Sequence, residues 1–564
     1  MRLKICLPLM GLITFFGFAI LIMSIIHEKE TPIVSATELR NVDSIPRDGI
    51  LELSFEHSGM YKNKFFDVSL NLIFTSPSGV QRQVRGFYYG DDLWKIRFRP
   101  DEAGPWTYIY SMKSETGFRH EGKGAFECTP SEAEGRVLRD PKNPYRWIFA
   151  NGKPYFPVGL QDCFKARGTQ FARRLIDGDE SRKSGKEVSL EEYFTIYGQA
   201  GFNLFRFSQK NCSYVLYDDL DHYRGEEGKA TDALLSLARR HGFRVMFGFF
   251  GFHGRPQDSS QPVNVLTPGM PRDEAITTPE DHATVAKEKR FLSYAVARWG
   301  VYADFWQLLN ERDASDAWTT LMANYVRSID PDRKPISTSW QRPHLPAIDI
   351  NSPHWYESES ELQSDLRVQQ QASKWKETGK PVVVGEQGNM GMNWDPLSGL
   401  RMRIRTWTAL FQEISLIFWN TNWSKAGVHK GNYTPGAVAN IYLGPEERGY
   451  IRVLHDFSSK LDAGMRITHV EVSSPDRVRA YGLLSKTAAA AYVHHFEDHL
   501  TTLRDIKITL DIFDNSSSKK KFYGEWIDPS TGSVIARVEV PPGRQTLDVP
   551  AFAVDLALLI INQK

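Results

Sequence analysis

Residues 304–311 read DFWQLLNE. The apolar run through Leu309 is too short for an ordinary helix and reads as a strand buried on both faces. It stops at Asn310 and Glu311, with no turn residue in front of them. A buried strand that ends by presenting an amide and a carboxylate is what a parallel barrel requires. There the active site is assembled at the C-terminal ends of the strands.

Working outward from this strand, seven more candidates appear, at residues 153–160, 202–208, 243–252, 334–340, 347–355, 381–388 and 414–420. Helices fit between most of them. Ser189 followed by Glu192 predicts a capping box, with Gly201 as the stop. Thr231 and Gly242 bracket a second helix. Thr278 with Pro279 at the first helical position, and Gly300 at the end, bracket a third. Ser364 and Gly379 bracket a fourth. Only the link between the fifth and sixth strands is too short for a helix. Strand–helix alternation repeated eight times predicts a (β/α)8 TIM barrel over residues 140–465.

The flanks read differently. Residues 37–137 and 466–564 alternate polar and apolar positions between Gly/Pro turns, the pattern of β-sandwiches. The expected fold class is therefore multidomain α/β plus all-β, a central barrel flanked by two β-sandwiches. A length of 564 residues agrees with several domains. Residues 1–36 open with Arg2 and Lys4 before an apolar stretch of 21 residues, Cys6 to Ile26. That is an export signal, either a cleaved signal peptide or a retained signal anchor. The bulk of the chain is thus expected outside the cytoplasm: secreted, periplasmic or anchored to the membrane by this segment.

With 69 basic and 68 acidic residues, the net charge of +1 offers no concentrated basic face, which excludes a nucleic-acid partner. The short run SSSKKK at 516–521 reads as a solvated hairpin tip. Four cysteines, Cys6, Cys128, Cys163 and Cys212, fit neither a zinc site nor a disulfide scaffold. HExxH, GxSxG and P-loop patterns are absent, so no catalytic metal, esterase or nucleotide site is expected, and no cofactor is implied.

The strand ends carry the chemistry. Asp162 follows strand one, Asn203 and Arg206 lie on strand two, and His253 ends strand three. His354 and Tyr356 end strand six, Glu386 ends strand seven, and Trp419 and Asn420 end strand eight. Glu311 and Glu386 are 75 residues apart, or three strand–helix units of about 25, which places them across the barrel mouth. Two carboxylates on opposite walls of a cleft are what glycoside cleavage needs. One protonates the leaving oxygen, and the other attacks the anomeric carbon or activates water.

The stretches WQLLNE and VVVGEQG resemble the strand-four and strand-seven signatures of the clan A retaining glycoside hydrolases. The resemblance implies Glu311 as acid/base and Glu386 as nucleophile. It implies Asn310 on the sugar 2-hydroxyl, Arg206 holding the nucleophile ionised, His354 or Tyr356 orienting it, and Trp419 flooring the subsite. In this chain Arg312 follows the glutamate where many clan members have proline. The flanks WKIRFRPDEAGPWTYIYSM and YGEWIDPSTGSV resemble an uncharacterised N-terminal sandwich and a C-terminal sandwich named for collagen binding. Both accompany apiosidase-like barrels.

Plainer readings exist for several of these residues. Arg206 also fits a structural ion pair beneath the barrel, His253 and His354 also fit rim residues, and Asp162 also fits a turn cap. Two rival functions remain at this level. One is a non-catalytic carbohydrate- or matrix-binding surface protein. The other is an inverting hydrolase using a further base such as Asp162. The separation of the two glutamates distinguishes them.

Overall fold

A computed structural model describes residues 37–40, 43–162, 164, 174–178, 185–208, 213–250, 279–280, 282–311, 314–339, 341–357, 359–389, 395–420, 441–512 and 522–561. The leader, Cys6, Cys163, Cys212, His253, Thr278 and the 516–521 run lie outside them. Among the described residues no helix is long and apolar enough to cross a membrane.

Eight parallel strands form one curled sheet: β1 (Val158–Gln161), β2 (Leu204–Ser208), β3 (Arg244–Phe250), β4 (Phe305–Leu309), β5 (Ile336–Ser337), β6 (His354–Tyr356), β7 (Val382–Gly388) and β8 (Ile414–Trp419). Their order is β5-β4-β3-β2-β1-β8-β7-β6, so the last strand pairs with the first, as in a TIM barrel. The two edges approach where Asp349 and Ile350 donate their N–H groups to the Ile336 carbonyl, at 2.8 and 3.2 Å. Every position of β2, β4 and β7 is buried, as strands covered on both faces require.

Three strands are much shorter than the sequence pattern suggests: β1, β6 and β5, the last reduced to Ile336–Ser337, and proline accounts for the first two. In the expected first strand, Pro154–Tyr155 instead joins Trp147–Phe149 and Val137–Arg139 in a small antiparallel sheet. Pro157 cannot donate to a central ladder, and the barrel strand begins just after it. Pro353 likewise delays β6 to His354.

Among the described residues, seven helices clothe the barrel: α1 (Leu190–Gln199), α2 (Gly225–Arg240), α3 (His282–Trp299), α4 (Asp316–Ile329), α5 (Ser364–Lys376), α6 (Ser398–Phe411) and α7 (Pro445–Ser458). Ser189 caps α1 by accepting from the Glu192 N–H at 3.2 Å, but the Glu192 carboxylate turns to Lys186, so no capping box closes. Thr231 is not a cap. It lies buried inside α2, its hydroxyl returned to the Glu227 carbonyl, because Glu226 and Glu227 start the helix earlier and suit its positive end. Ser364 is the first residue of α5, which a short 3-10 turn precedes.

The flanking regions are sheet domains. Before the barrel, a four-stranded and a five-stranded sheet bury Phe55, Phe74, Trp94 and Trp106 in one cluster. After it, a six-stranded and a three-stranded sheet share a core around Ile508, Trp526 and Leu558.

Ion pairs bind both regions to the barrel. Asp232 of α2 takes Arg97 from the N-terminal region at 2.9 Å, and Arg298 of α3 at 2.7 Å. Burial pushes its carboxyl up, yet the two guanidiniums outweigh this and hold it below the usual range. On the other side, Asp365 of α5 takes Arg479, the Tyr481 hydroxyl at 2.9 Å and the His494 ring at 3.0 Å, all from the C-terminal region.

His494 and His499 meet through their Nε2 atoms at 3.0 Å, so only one of these two atoms can carry a proton. Burial, with the neighbouring His494, pushes His499 down from 6.5 to about 4. The folded chain therefore binds fewer protons than the unfolded chain between these values, and stability falls as pH drops through that window. Thermal melts across the window are expected to record this loss, and the His499→Gln variant to record a smaller one.

Candidate active site

The C-terminal ends of β2, β4, β6 and β7 converge on one polar cluster. Arg206 of β2 is fully buried, and Glu386 of β7 is 1% exposed. The guanidinium donates to Glu386 Oε1 at 2.7 Å. It also donates to Gln307 Oε1 on β4 at 2.6 and 2.9 Å, to Gln161 Oε1 on β1, and to Asn310 Oδ1. A planar donor with five N–H groups suits such a ring of acceptors, and no other side chain could fill it.

Glu386 accepts the Tyr356 hydroxyl on its other oxygen, Oε2. His354 is its register partner on β6, and the imidazole Nδ1 lies 3.4 Å from Glu386 Oε2 and 2.9 Å from Glu311 Oε1. One imidazole thus bridges the two carboxylates. One oxygen of each carboxylate lies within 4.8 Å of the other.

The backbone aims both acids. Between Val384 and Gln387, β7 carries one residue more than β8 does over the same span, and Glu386 sits in this bulge. Bulges re-aim side chains beside active sites. Position 385 must stay glycine, because a Cβ there would meet Ser352 Oγ at 2.8 Å and His354 Nε2 at 3.1 Å. Glu311 follows the last ladder bond of its strand, from the Asn310 N–H to the Phe250 carbonyl at 3.0 Å, and adopts φ +46°. Its side chain keeps 30% exposure, while that of Glu386 keeps 2%. Burial pushes the Glu311 carboxyl up. The hydrogen bond and charge of His354, together with Arg206, prevail and hold it below the usual carboxylate range. Burial and the two acids push the Tyr356 hydroxyl well up, so it stays a donor.

The remaining expected residues divide. Trp419 is half-buried at the end of β8, its ring 6.3 Å from that of Tyr356. Asp162 lies in a buried network, taking the Tyr193 hydroxyl at 2.8 Å and the Asn420 amide at 3.2 Å. It ties β1, α1 and β8 together, and at 1% exposure it does not cap a turn at the surface. Asn203 precedes β2 at the opposite end of the barrel and braces Phe156 and Val158.

Gln161 and Gln307 were not singled out in the sequence. The signal was there, since an amide inside FWQLL needs a buried partner. Glu311, His354 and Glu386 offer three donor atoms close enough to hold a cation. Arg206 and Tyr356 already occupy both oxygens of Glu386, which leaves the site poorly suited to one. A cavity of about 680 Å³ opens at the other end of the barrel, near Tyr155, Asn203 and Glu413. Glu413 there is matched by Asn143, Arg146 and Lys376, at 2.7 to 3.3 Å.

Comparison with known proteins agrees with this architecture. A domain of unknown function, DUF5060, matches residues 47–113. No curated protein matches the chain. Among solved structures, a candidate glycoside hydrolase from Bacteroides vulgatus ATCC 8482 aligns over 92% of this chain and 100% of its own. The TM-score is 0.62 at 19% identity, a likeness of fold over nearly the whole length. A family 39 glycoside hydrolase from Bacteroides cellulosilyticus WH2 aligns over 93% and 100% of the two chains, with a TM-score of 0.42 at 13% identity. A family 5 mannosidase from Rhizomucor miehei aligns over 57% and 97%, with a TM-score of 0.40 at 12% identity.

Proposed function

We propose that this chain is a retaining glycoside hydrolase that cleaves O-glycosidic bonds of a poly- or oligosaccharide by double displacement. The observation that carries the reading is that one carboxylate oxygen of Glu311 lies within 4.8 Å of one of Glu386, at the ends of β4 and β7, with His354 Nδ1 between them. Retaining enzymes hold their two carboxyl groups about 5–5.5 Å apart, whereas inverting enzymes leave about 6.5–9.5 Å for a water molecule. The engagement of Asp162 by the Tyr193 hydroxyl supports the retaining reading over an inverting one that would use Asp162 as base.

Glu386 attacks the anomeric carbon while Glu311 gives a proton to the leaving oxygen. Water then opens the glycosyl-enzyme, with Glu311 taking the proton back. Arg206 keeps the attacking carboxylate oriented, and Tyr356 holds its second oxygen. Asn310 binds the 2-hydroxyl, and Trp419 floors the subsite with a face suited to sugar C–H groups. In the unliganded site Glu311 favours its charged form. A sugar filling the cleft strips water from the carboxyl, the one influence that favours the acid, and so prepares it for proton transfer.

We read the flanking sheets as β-sandwiches and the chain as exported through residues 1–36. The test is to find a cleaved substrate in a polysaccharide and aryl glycoside panel and to follow the first-formed anomer by proton NMR. Retention is expected. Initial formation of the inverted anomer would replace this mechanism with single displacement.

A further inference from the structure

We propose that Ser339 is the positioning residue that holds the Glu311 carboxyl in place for proton transfer. The inference rests on the glycosidase reading above and adds to it a residue outside the cleft-facing set. Glu311 sits at φ +46°, a left-handed conformation. For a residue with a long side chain this costs on the order of 1 kcal/mol, and it persists only where surrounding contacts enforce it.

Among the described residues, the contacts that enforce it come from Ser339. The Glu311 N–H donates to Ser339 Oγ at 2.6 Å. The same hydroxyl donates its single proton to the Leu309 carbonyl at 3.0 Å, and the Ser339 N–H reaches that carbonyl at 3.2 Å. Ser339 lies just beyond β5 and is 1% exposed. It therefore grips the backbone on both sides of Asn310 and turns the chain as it leaves β4. That turn sends the Glu311 side chain across to His354, 2.9 Å away, instead of onward along the strand direction.

Without the hydroxyl, the Glu311 N–H loses its partner, and the His354 contact alone is left to oppose a return to negative φ that swings the side chain away. A shift of about 1 Å is enough to disable a proton donor. Ser337 provides an internal comparison. Its hydroxyl also binds a β4 carbonyl, that of Trp306 at 3.0 Å, but it touches no part of Glu311.

The experiment compares the wild type with Ser339→Ala, Ser339→Thr and Ser337→Ala on aryl glycosides of one sugar with leaving phenols of graded acidity. A crystal structure of Ser339→Ala accompanies it. General acid help matters most for poor leaving groups and contributes about 10²–10⁴-fold. For Ser339→Ala, kcat/KM is expected to stay within about 3-fold of wild type for the most acidic phenols and to fall about 100-fold for the least acidic. Ser339→Thr, which keeps the hydroxyl, should restore the shallow dependence, and Ser337→Ala should leave the slope unchanged. In the crystal structure Glu311 should abandon its positive φ and its contact with His354.

An equal loss for every leaving group, no loss at all, or an unchanged Glu311 in the crystal structure would each overturn the assignment. Should the wild type cleave no glycoside, the glycosidase reading falls instead. The crystallographic arm would still decide whether Ser339 holds Glu311.

Discussion

Glu386→Gln is expected to lower turnover by about five orders of magnitude while the protein stays folded. The amide keeps the shape and can still meet Tyr356 and Arg206, but it cannot attack an anomeric carbon. Losing a nucleophile costs about 10⁶-fold in the best-measured case of covalent catalysis. Steady-state kinetics with a melting curve on the same sample check both halves. Glu386→Ala is a less clean variant than the sequence alone suggests. A rim residue would carry little packing, but this one is 1% exposed and partners a fully buried guanidinium. Its removal is expected to cost stability as well as activity. A variant at this position with wild-type turnover would refute the role of Glu386.

Arg206→Ala should have the second largest effect, and mainly on stability. The side chain is 0% exposed and serves Glu386, Gln307, Gln161 and Asn310 together. Deleting it strands a carboxylate and several amide oxygens in the barrel core. Breaking a buried ion pair by removing one partner costs about 3–5 kcal/mol. Urea denaturation should show an unfolding free energy lower by that amount, read as a lower midpoint at an unchanged slope. Arg206→Lys is expected to recover little, because one ammonium on a flexible stem cannot meet acceptors on three strands at once. A small loss in either variant would mean that the ring of amides is already satisfied without the guanidinium.

The barrel was legible because its strands announce themselves twice, by unbroken apolar composition and by the polar residue at which each run stops. DFWQLLNE and VVVGEQG placed Glu311 and Glu386 at the ends of strands four and seven, across the barrel mouth, from spacing alone, and the two carboxylates do approach each other. The misread boundaries have local causes. Pro157 and Pro353 break ladders in ways an apolar pattern does not register, and the acidic first turn of α2 overrides the cap signal of Thr231. Asp162 illustrates a different limit. Its partners Tyr193 and Asn420 lie 31 and 258 residues away, so only the folded chain discloses that the carboxylate is consumed internally. The same holds for Ser339, whose hydroxyl reaches back 28 residues to the backbone of Glu311. Composition and periodicity predict where a side chain sits along an element, and they say nothing of which distant group it will meet.

Modules joined in one chain usually meet through polar, modest contacts and move relative to one another. Asp232 and Asp365 make this molecule a different case. Each is a barrel carboxylate whose counter-charges come from, or are shared with, a neighbouring sheet region. Peeling away the C-terminal flank would strip Asp365 of its guanidinium, and peeling away the N-terminal one would leave Asp232 with Arg298 alone. The three parts are accordingly expected to melt in a single transition, like one stone with three facets, and an excised barrel would inherit charges whose partners were left behind.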